Sequence, residues 1–272
     1  MIDYGNNIIE LNKLCEQCGV DGHLLCYMSD MTGPTQSKKD GFARYIIDKM
    51  MDNGELSFNQ PIVVNGFQKF SLAVASYLNE LGWTSELYVV SHNQPIILNN
   101  FLNSCVYTNV VPYIVEYVGH YPKKDSEDKA LEIGGVFVDQ YSSMYGVEYY
   151  IKQAQEFIDF IPYELNAFVN PNATGSTTLG IGTVLKNTYL DISIMCPNFV
   201  SSGNPNLGDD KVAPLIKDFD VEWFDRSYVT KYLISSQVVD DVMFKESWWT
   251  VNFGLSFLKN NPGKTVLLHI GG

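Results

Sequence analysis

Asn166-Ala-Phe-Val-Asn-Pro-Asn-Ala-Thr-Gly-Ser-Thr-Thr-Leu-Gly-Ile-Gly-Thr-Val-Leu185 runs from a short apolar segment through a polar turn into a helix-length segment. Asn166–Val169 predicts a strand, 170–178 a loop, and the helix continues through Leu185. A strand that hands its chain directly to a helix is the repeating unit of a wound parallel sheet. Such a junction also suits an anion, because backbone N–H groups and the helix dipole point out of the helix start. Thr174, Ser176 and Thr177 add hydroxyl donors there. A polar strand-to-helix turn with an N-cap accounts for the same residues without any ligand.

The same rhythm extends outward in both directions. Helices are predicted over Leu11–Cys18, Gly41–Met51, Ser71–Leu81, Ile96–Leu102, Glu148–Ile158 and, in two pieces, Asp240–Leu258. Strands are predicted at Pro61–Val64, Glu86–Val90, Pro112–Tyr117, Gly135–Val138, Asp191–Met195 and Thr265–His269. Gly54 and Gly82 stand just past the ends of two helices, where a left-handed residue closes the last turn. Tyr121–Asp128 (YPKKDSED) reads as a charged surface loop, and Ser201–Asp210 (SSGNPNLGDD) as a Gly/Pro/Asn-rich one.

Composition narrows the function classes. The 272 residues are 46% hydrophobic and 18% charged, which is a globular rather than a disordered balance. A formal net charge of −13 with no basic stripe argues against a nucleic-acid partner. No apolar run approaches the roughly 18 residues of a membrane span, and the N-terminal stretch lacks a signal-peptide pattern, so a cytoplasmic location is expected. Five cysteines fit no disulfide framework. Cys15 and Cys18 form a single C-x-x-C with no second half to complete a zinc site. His23, His92, His120 and His269 lack metal-ligand spacing and read as structural or exposed, and no metal site is expected.

Several segments, taken in order, resemble the cysteine synthase family of fold type II pyridoxal-phosphate (PLP) enzymes. Gly5-Asn-Asn-Ile-Ile-Glu-Leu-Asn-Lys-Leu14 is similar to the opening G-N-T-P-L-V-x-L-x-x-L. Ser37-Lys-Lys-Asp40 before a helix resembles S-x-K-D/x-R, whose lysine carries the cofactor as a Schiff base. Asp139-Gln-Tyr-Ser142 resembles Q-F-x-N, and Ala173-Thr-Gly-Ser-Thr177 with Leu179-Gly-Ile-Gly182 resembles the phosphate loop G-T-G-G-T-x-x-G-x-G. Val266-Leu-Leu-His-Ile-Gly-Gly272 looks like V-L-F-I-H-T-G-G of the D-cysteine desulfhydrase branch. Any one of these matches is unspecific; their order and spacing along the chain carry the resemblance.

The resemblance implies an α/β, two-domain parallel-sheet fold. A larger domain would comprise 1–57 and 140–272, and a smaller one 58–139. It implies pyridoxal 5'-phosphate as cofactor, held by Lys39 and by Ala173, Thr174, Gly175, Ser176 and Thr177. Lys39 would also be the catalytic base, and Gln68, Lys69 and Gln140 would face the substrate. Lys39 and the phosphate loop are expected to flank one cleft, since both would serve one cofactor.

Three departures qualify this. Phe67-Gln-Lys-Phe-Ser71 replaces an S/T-G-N-T-G loop, with Lys69 for the expected Asn and no glycines for close backbone approach. Ile270 stands where a Ser or Thr would meet the pyridine nitrogen, and it offers no hydrogen bond. Glu246-Ser-Trp-Trp-Thr250 replaces a small-residue loop. Two functions therefore stand side by side. One is PLP-dependent β-elimination or β-replacement on a small amino acid, of the cysteine synthase or desulfhydrase type. The alternative is a pseudoenzyme acting as a binding or regulatory subunit. In either case a homodimer or a complex with another protein is expected.

Overall fold

The computed structural model of the chain describes residues 1–29, 32–116, 122–171, 174–197, 214–216, 218–224 and 248–271. Ala173, His120, the loop 201–210, Glu246, Ser247 and the first of the two helical pieces expected across 240–258 lie outside the described residues.

In chain order the elements are β1 (Ile2–Gly5), β2 (Ile8–Glu10), α1 (Asn12–Cys18), β3 (Gly22–Met28), α2 (Lys39–Asp52), β4 (Ile62–Asn65), α3 (Lys69–Glu80) and β5 (Leu87–His92). There follow α4 (Pro95–Ser104), β6 (Val110–Val115), α5 (Lys123–Glu132), β7 (Val136–Phe137), α6 (Met144–Phe157) and β8 (Ala167–Val169). The described chain closes with α7 (Ser176–Thr188), β9 (Ser193–Pro197), β10 (Glu222–Phe224), α8 (Trp248–Asn260) and β11 (Lys264–Ile270). None of the described helices is long and apolar enough to cross a membrane.

The chain divides into two compact units, one of Met1–Asp30 with Val147–Gly272 and one of Met31–Gly146. The first contains a seven-stranded sheet of order β1-β2-β3-β11-β8-β9-β10. β1, β2 and β3 pair antiparallel, and every pairing from β3 to β10 is parallel. β11 is the central strand, in register with β3 from Lys264↔Gly22 to Ile270↔Met28. Its run Thr265–Ile270 is fully buried, as a parallel strand covered on both faces requires. Val251, Leu255 and Leu258 of α8 lie in one apolar cluster with Leu24, Cys26, Val266 and Leu268. Trp248 and Trp249 are half-buried, their rings 4.5 Å apart, and Trp248 packs against that cluster.

The second unit is a four-stranded parallel sheet of order β6-β5-β4-β7. α2 buries Phe42, Ala43, Ile46, Ile47 and Met50 at helical spacing. Phe42 meets Phe70 of α3 with ring centroids 5.5 Å apart. This packing places 39–52 with the second unit, whereas the sequence expectation set 31–57 with the larger domain.

Of Tyr121–Asp128, read as a loop, Tyr121 lies outside the described residues and Lys123–Asp128 corrects to the first part of a helix. Lys, Glu, Ala and Leu are good helix formers. Ser126 and Ala130, four apart, form a narrow buried stripe, and the Ser126 hydroxyl donates to the Pro122 carbonyl. The charges that suggested a loop are the solvent face of α5. The hairpin β1–β2, β3 and β10 are not marked by the sequence pattern.

Candidate functional site

Lys39 opens α2, in the second unit. The approach to the helix is fixed by Asp40, whose carboxylate accepts the Thr35 N–H at 3.2 Å and the Thr35 hydroxyl at 2.8 Å. Ser37, fully buried, accepts the Lys39 N–H on Oγ at 3.2 Å and its hydroxyl meets that of Thr35 at 2.9 Å. An acidic group in the first turn complements the helix dipole. The short polar residues before Lys39 thus have a structural task, which is to launch the helix with the lysine at its first position.

The Lys39 side chain is half-buried, with Nζ 4.6 Å from the Phe42 ring centroid and 5.8 Å from that of Phe70. Burial, reinforced by the adjacent Lys38 charge, lowers its pKa from the ordinary 10.5 to about 7. Lys38 is itself lowered by burial, to about 8. The aromatic faces favour the ammonium and so oppose this shift. A lysine held near 7 exposes a useful share of neutral amine at neutral pH, which is what imine formation needs.

In the first unit, Gly175 adopts φ +89°, ψ −18° and Ser176 begins α7. Only glycine takes that left-handed turn without cost. Thr174, Ser176, Thr177 and Thr178 are all buried around the helix start, and the Thr174 hydroxyl reaches Ser176 Oγ at 3.4 Å. Helix α7 lies hard against α6, since a Cβ on Gly180 would stand 2.6 Å from Tyr150 Cβ and 2.7 Å from the Val147 carbonyl oxygen. Tyr150 thereby comes within hydrogen-bonding reach of Thr177, and burial raises its phenol pKa far above the usual value.

Beneath that helix start runs a buried polar chain which sequence reasoning missed. Ser29 Oγ lies 2.7 Å from His269 Nε2, and His269 Nδ1 lies 2.8 Å from Asn170 Oδ1. Asn170 Nδ2 donates to Thr178 Oγ1 at 2.8 Å, and Thr178 Oγ1 lies 3.7 Å from Cys196 Sγ. The penultimate residue of the strand β11, the residues just past β3 and β8, and the first turn of α7 are tied together. No spacing rule could reveal this, because Ser29 and His269 are 240 positions apart.

The remaining sequence-predicted residues are placed as follows. Gln68, in extended conformation, and Lys69, the first residue of α3, are both exposed. Gln140 is buried in the turn after β7, where Asp139 accepts the Tyr141 N–H at 2.7 Å and the Lys123 ammonium lies 3.4 Å from Asp139. Ile270 is buried in β11, and its carbonyl accepts the Ser29 N–H. Lys39, Gln68, Lys69 and Gln140 belong to the second unit, and Thr174–Thr177 and Ile270 to the first. No cluster of His, Cys, Asp and Glu that could hold a metal ion occurs among the described residues.

No protein-family model and no curated protein matches the chain. Among solved structures, the chain is similar to an O-acetylserine dependent cystathionine beta-synthase from Helicobacter pylori, with TM-score 0.78, 14% identity, and coverage of 100% of this chain and 95% of that one. It is similar to an O-ureido-L-serine synthase, with TM-score 0.73 at 18% identity over 98% and 88%. A hydrogen sulfide-producing enzyme from Fusobacterium nucleatum gives TM-score 0.70 at 12% identity over 92% and 90%. The likeness shows the α/β parallel-sheet fold that the sequence resemblance implies.

Proposed function

We propose that the chain is a pyridoxal 5'-phosphate enzyme that carries out β-elimination or β-replacement on a small amino acid. The observation that carries the reading is Lys39, a half-buried lysine at the first position of a helix with its pKa held near 7. The residues present fit the implied cofactor. The lysine is a reactive amine, and the start of α7 offers N–H groups beside the hydroxyls of Thr174, Ser176 and Thr177. When bound, the cofactor supplies the electron sink for a carbanion at the substrate α-carbon. Lys39 would hold the cofactor through Nζ, and the same atom would serve to hold and move the α-proton. The α7 start would bind the phosphate, and Gln140, Gln68 and Lys69 are the candidates for the substrate carboxylate. The similar proteins, one dependent on O-acetylserine, one making O-ureido-L-serine and one producing hydrogen sulfide, support an activated serine or a cysteine as the substrate class. The likeness of β11 to the D-cysteine desulfhydrase branch inclines the proposal towards elimination.

Adding PLP to the purified protein tests this directly. A visible absorbance band should form, and borohydride should then trap the cofactor on the Lys39 peptide. Lys39→Ala should abolish both. Because the reading assigns the α7 start to the same cofactor molecule, Ser176→Asp should lower the trapped yield at Lys39. A specific observation favours the second reading: Ile270 presents hydrocarbon where a hydrogen-bonding group is expected, and Lys69 is exposed. If added PLP gives no band and no adduct, the chain is a binding or regulatory subunit of this fold.

The proposal extends to a cytoplasmic homodimer or a stable complex with another chain. Exposed Ile96, Leu102, Val106 and Ile114 in the second unit are apolar surface such an interface would cover. Light scattering that finds only the 30.7 kDa monomer at all concentrations, with no partner retained, removes that extension.

A further inference from the structure

The buried chain at the carboxyl ends of β3, β11 and β8 has a direction that its donors and acceptors fix. Asn170 Nδ2 donates to Thr178, so Asn170 Oδ1 is the atom facing His269 Nδ1 at 2.8 Å. An amide oxygen only accepts, so His269 Nδ1 carries the hydrogen. In the neutral ring Nε2 is then bare and accepts the Ser29 hydroxyl proton at 2.7 Å. Thr178 has its own hydroxyl hydrogen left for Cys196 Sγ, at 3.7 Å. Nucleophile to base and base to orienting group are both within hydrogen-bond range, which are two of the geometric conditions for an activated serine.

Exposure falls inward along this chain. Ser29 is 7% exposed, His269 and Asn170 are 2% and Thr178 is 0%. All four residues are buried, and Ser29 is the least deeply buried member of the chain. Tyr27 stacks on the imidazole with centroids 5.7 Å apart and an interplanar angle of 26°, and Tyr150 meets it edge-on at 6.2 Å. These rings hold the imidazole plane, and the stacked face favours the cation that forms when His269 takes a proton. The site lies at the carboxyl ends of parallel strands, where α/β folds build their ligand crevices.

We propose that Ser29 is an activated nucleophile in a Ser29–His269–Asn170 constellation, reactive towards small activated esters and their phosphonyl analogues. This activity is separate from the PLP reading and uses none of its residues. In the step, Ser29 Oγ bonds to the acyl carbon while its proton passes to His269 Nε2. The ester C–O bond breaks, and the departing alcohol takes that proton, so the products are acyl-Ser29 and a free alcohol. The Ser29 N–H is committed to the Ile270 carbonyl at 2.9 Å and gives no help to the developing oxyanion. Asn170 orients the ring but adds no negative charge. Both features favour slow, single acylation over rapid turnover.

The whole purified protein, without added cofactor, is incubated with an alkyl fluorophosphonate and with p-nitrophenyl acetate. Intact mass should show one adduct from each, peptide mapping should place it on Ser29, and Ser29→Ala should eliminate it. His269→Gln should slow labelling by ~100-fold or more, the lower end of general-base contributions. Asn170→Asp should accelerate it by ~10-fold, since a carboxylate in that position stabilises the imidazolium. A residue that only fills space would not produce that gain. Circular dichroism and the guanidinium midpoint establish that each variant is folded. The proposal is overturned if folded wild-type protein gains no adduct on Ser29, or if His269→Gln labels at the wild-type rate. Should His269→Gln fail to fold, Asn170→Asp decides, and a rate equal to or below wild type overturns it.

Discussion

Replacing Lys39 by methionine should stabilise the protein, and by an amount that depends on pH. In the folded chain the ammonium is held near 7 rather than 10.5, chiefly by burial and secondarily by Lys38. At 1.36 kcal/mol per tenfold change in proton affinity, carrying that charge at low pH costs an upper bound of about 5 kcal/mol. The side chain is half-buried rather than sealed, and access to water reduces the cost to about 2 kcal/mol. The sign follows from proton binding. Between roughly pH 7 and 10.5 the unfolded chain holds a proton on Lys39 that the folded chain has released, so wild-type stability gains with rising pH across that window. Below pH 7 both states are protonated and the cost is present in full. Lys39→Met removes it, so the variant should exceed wild type by about 2 kcal/mol at pH 6.5, and the difference should shrink towards zero near pH 10. Guanidinium unfolding of both proteins at pH 6.5, 8 and 9.5 measures this. Direct titration by NMR of 13C-methylated lysines should find one amine well below the ordinary 10.5. A variant no more stable than wild type at pH 6.5, with every lysine titrating near 10, would refute the account of Lys39 as a desolvated amine.

Three further outcomes follow from the packing. Gly180→Ala should lower stability by ~2 kcal/mol or more in guanidinium unfolding, because its Cβ would collide with Tyr150 Cβ and the Val147 carbonyl, both held in α6. Ser176→Asp should weaken binding of inorganic phosphate or PLP by at least ~10-fold in calorimetry, since a buried carboxylate would oppose the anion at the start of α7. Glu10→Gln should cost about 2 kcal/mol in thermal or guanidinium unfolding. Glu10 is buried, accepts the Tyr4 hydroxyl at 2.6 Å and lies 2.7 Å from His23 Nδ1, and an amide there has only one accepting oxygen where the carboxylate has two.

What was legible in the sequence was local, and what was hidden was set by distant parts of the chain. The strand-to-helix junction before α7 is written in consecutive residues, a strand, then Gly175, then hydroxyls, although the helix begins at Ser176, inside the stretch 170–178 expected as a loop. Lys39 was legible as a helix-opening lysine, but its lowered pKa was not, because Phe70 and the burial around it come from another helix. The hairpin β1–β2 was hidden for a different reason. Its two-residue turn places Asn6 at φ 47° and Asn7 at φ 63°, both left-handed as a type I′ turn requires, yet without the glycine that usually announces one. Ile8 and Glu10, the buried positions of the strand that follows, are too few to show a period. Helix α5 was misread because its charges outweigh a stripe of only Ser126 and Ala130. The Ser29–His269–Asn170 chain is the extreme case. Each of its members looks ordinary in sequence, His269 as a core histidine in an apolar strand and Ser29 as a residue past a strand end. Parallel pairing of β11 with β3 on one side and β8 on the other sets the carboxyl ends of three strands side by side. Chemistry assembled across a parallel sheet in this way leaves no spacing signature, and only the register of the strands reveals it.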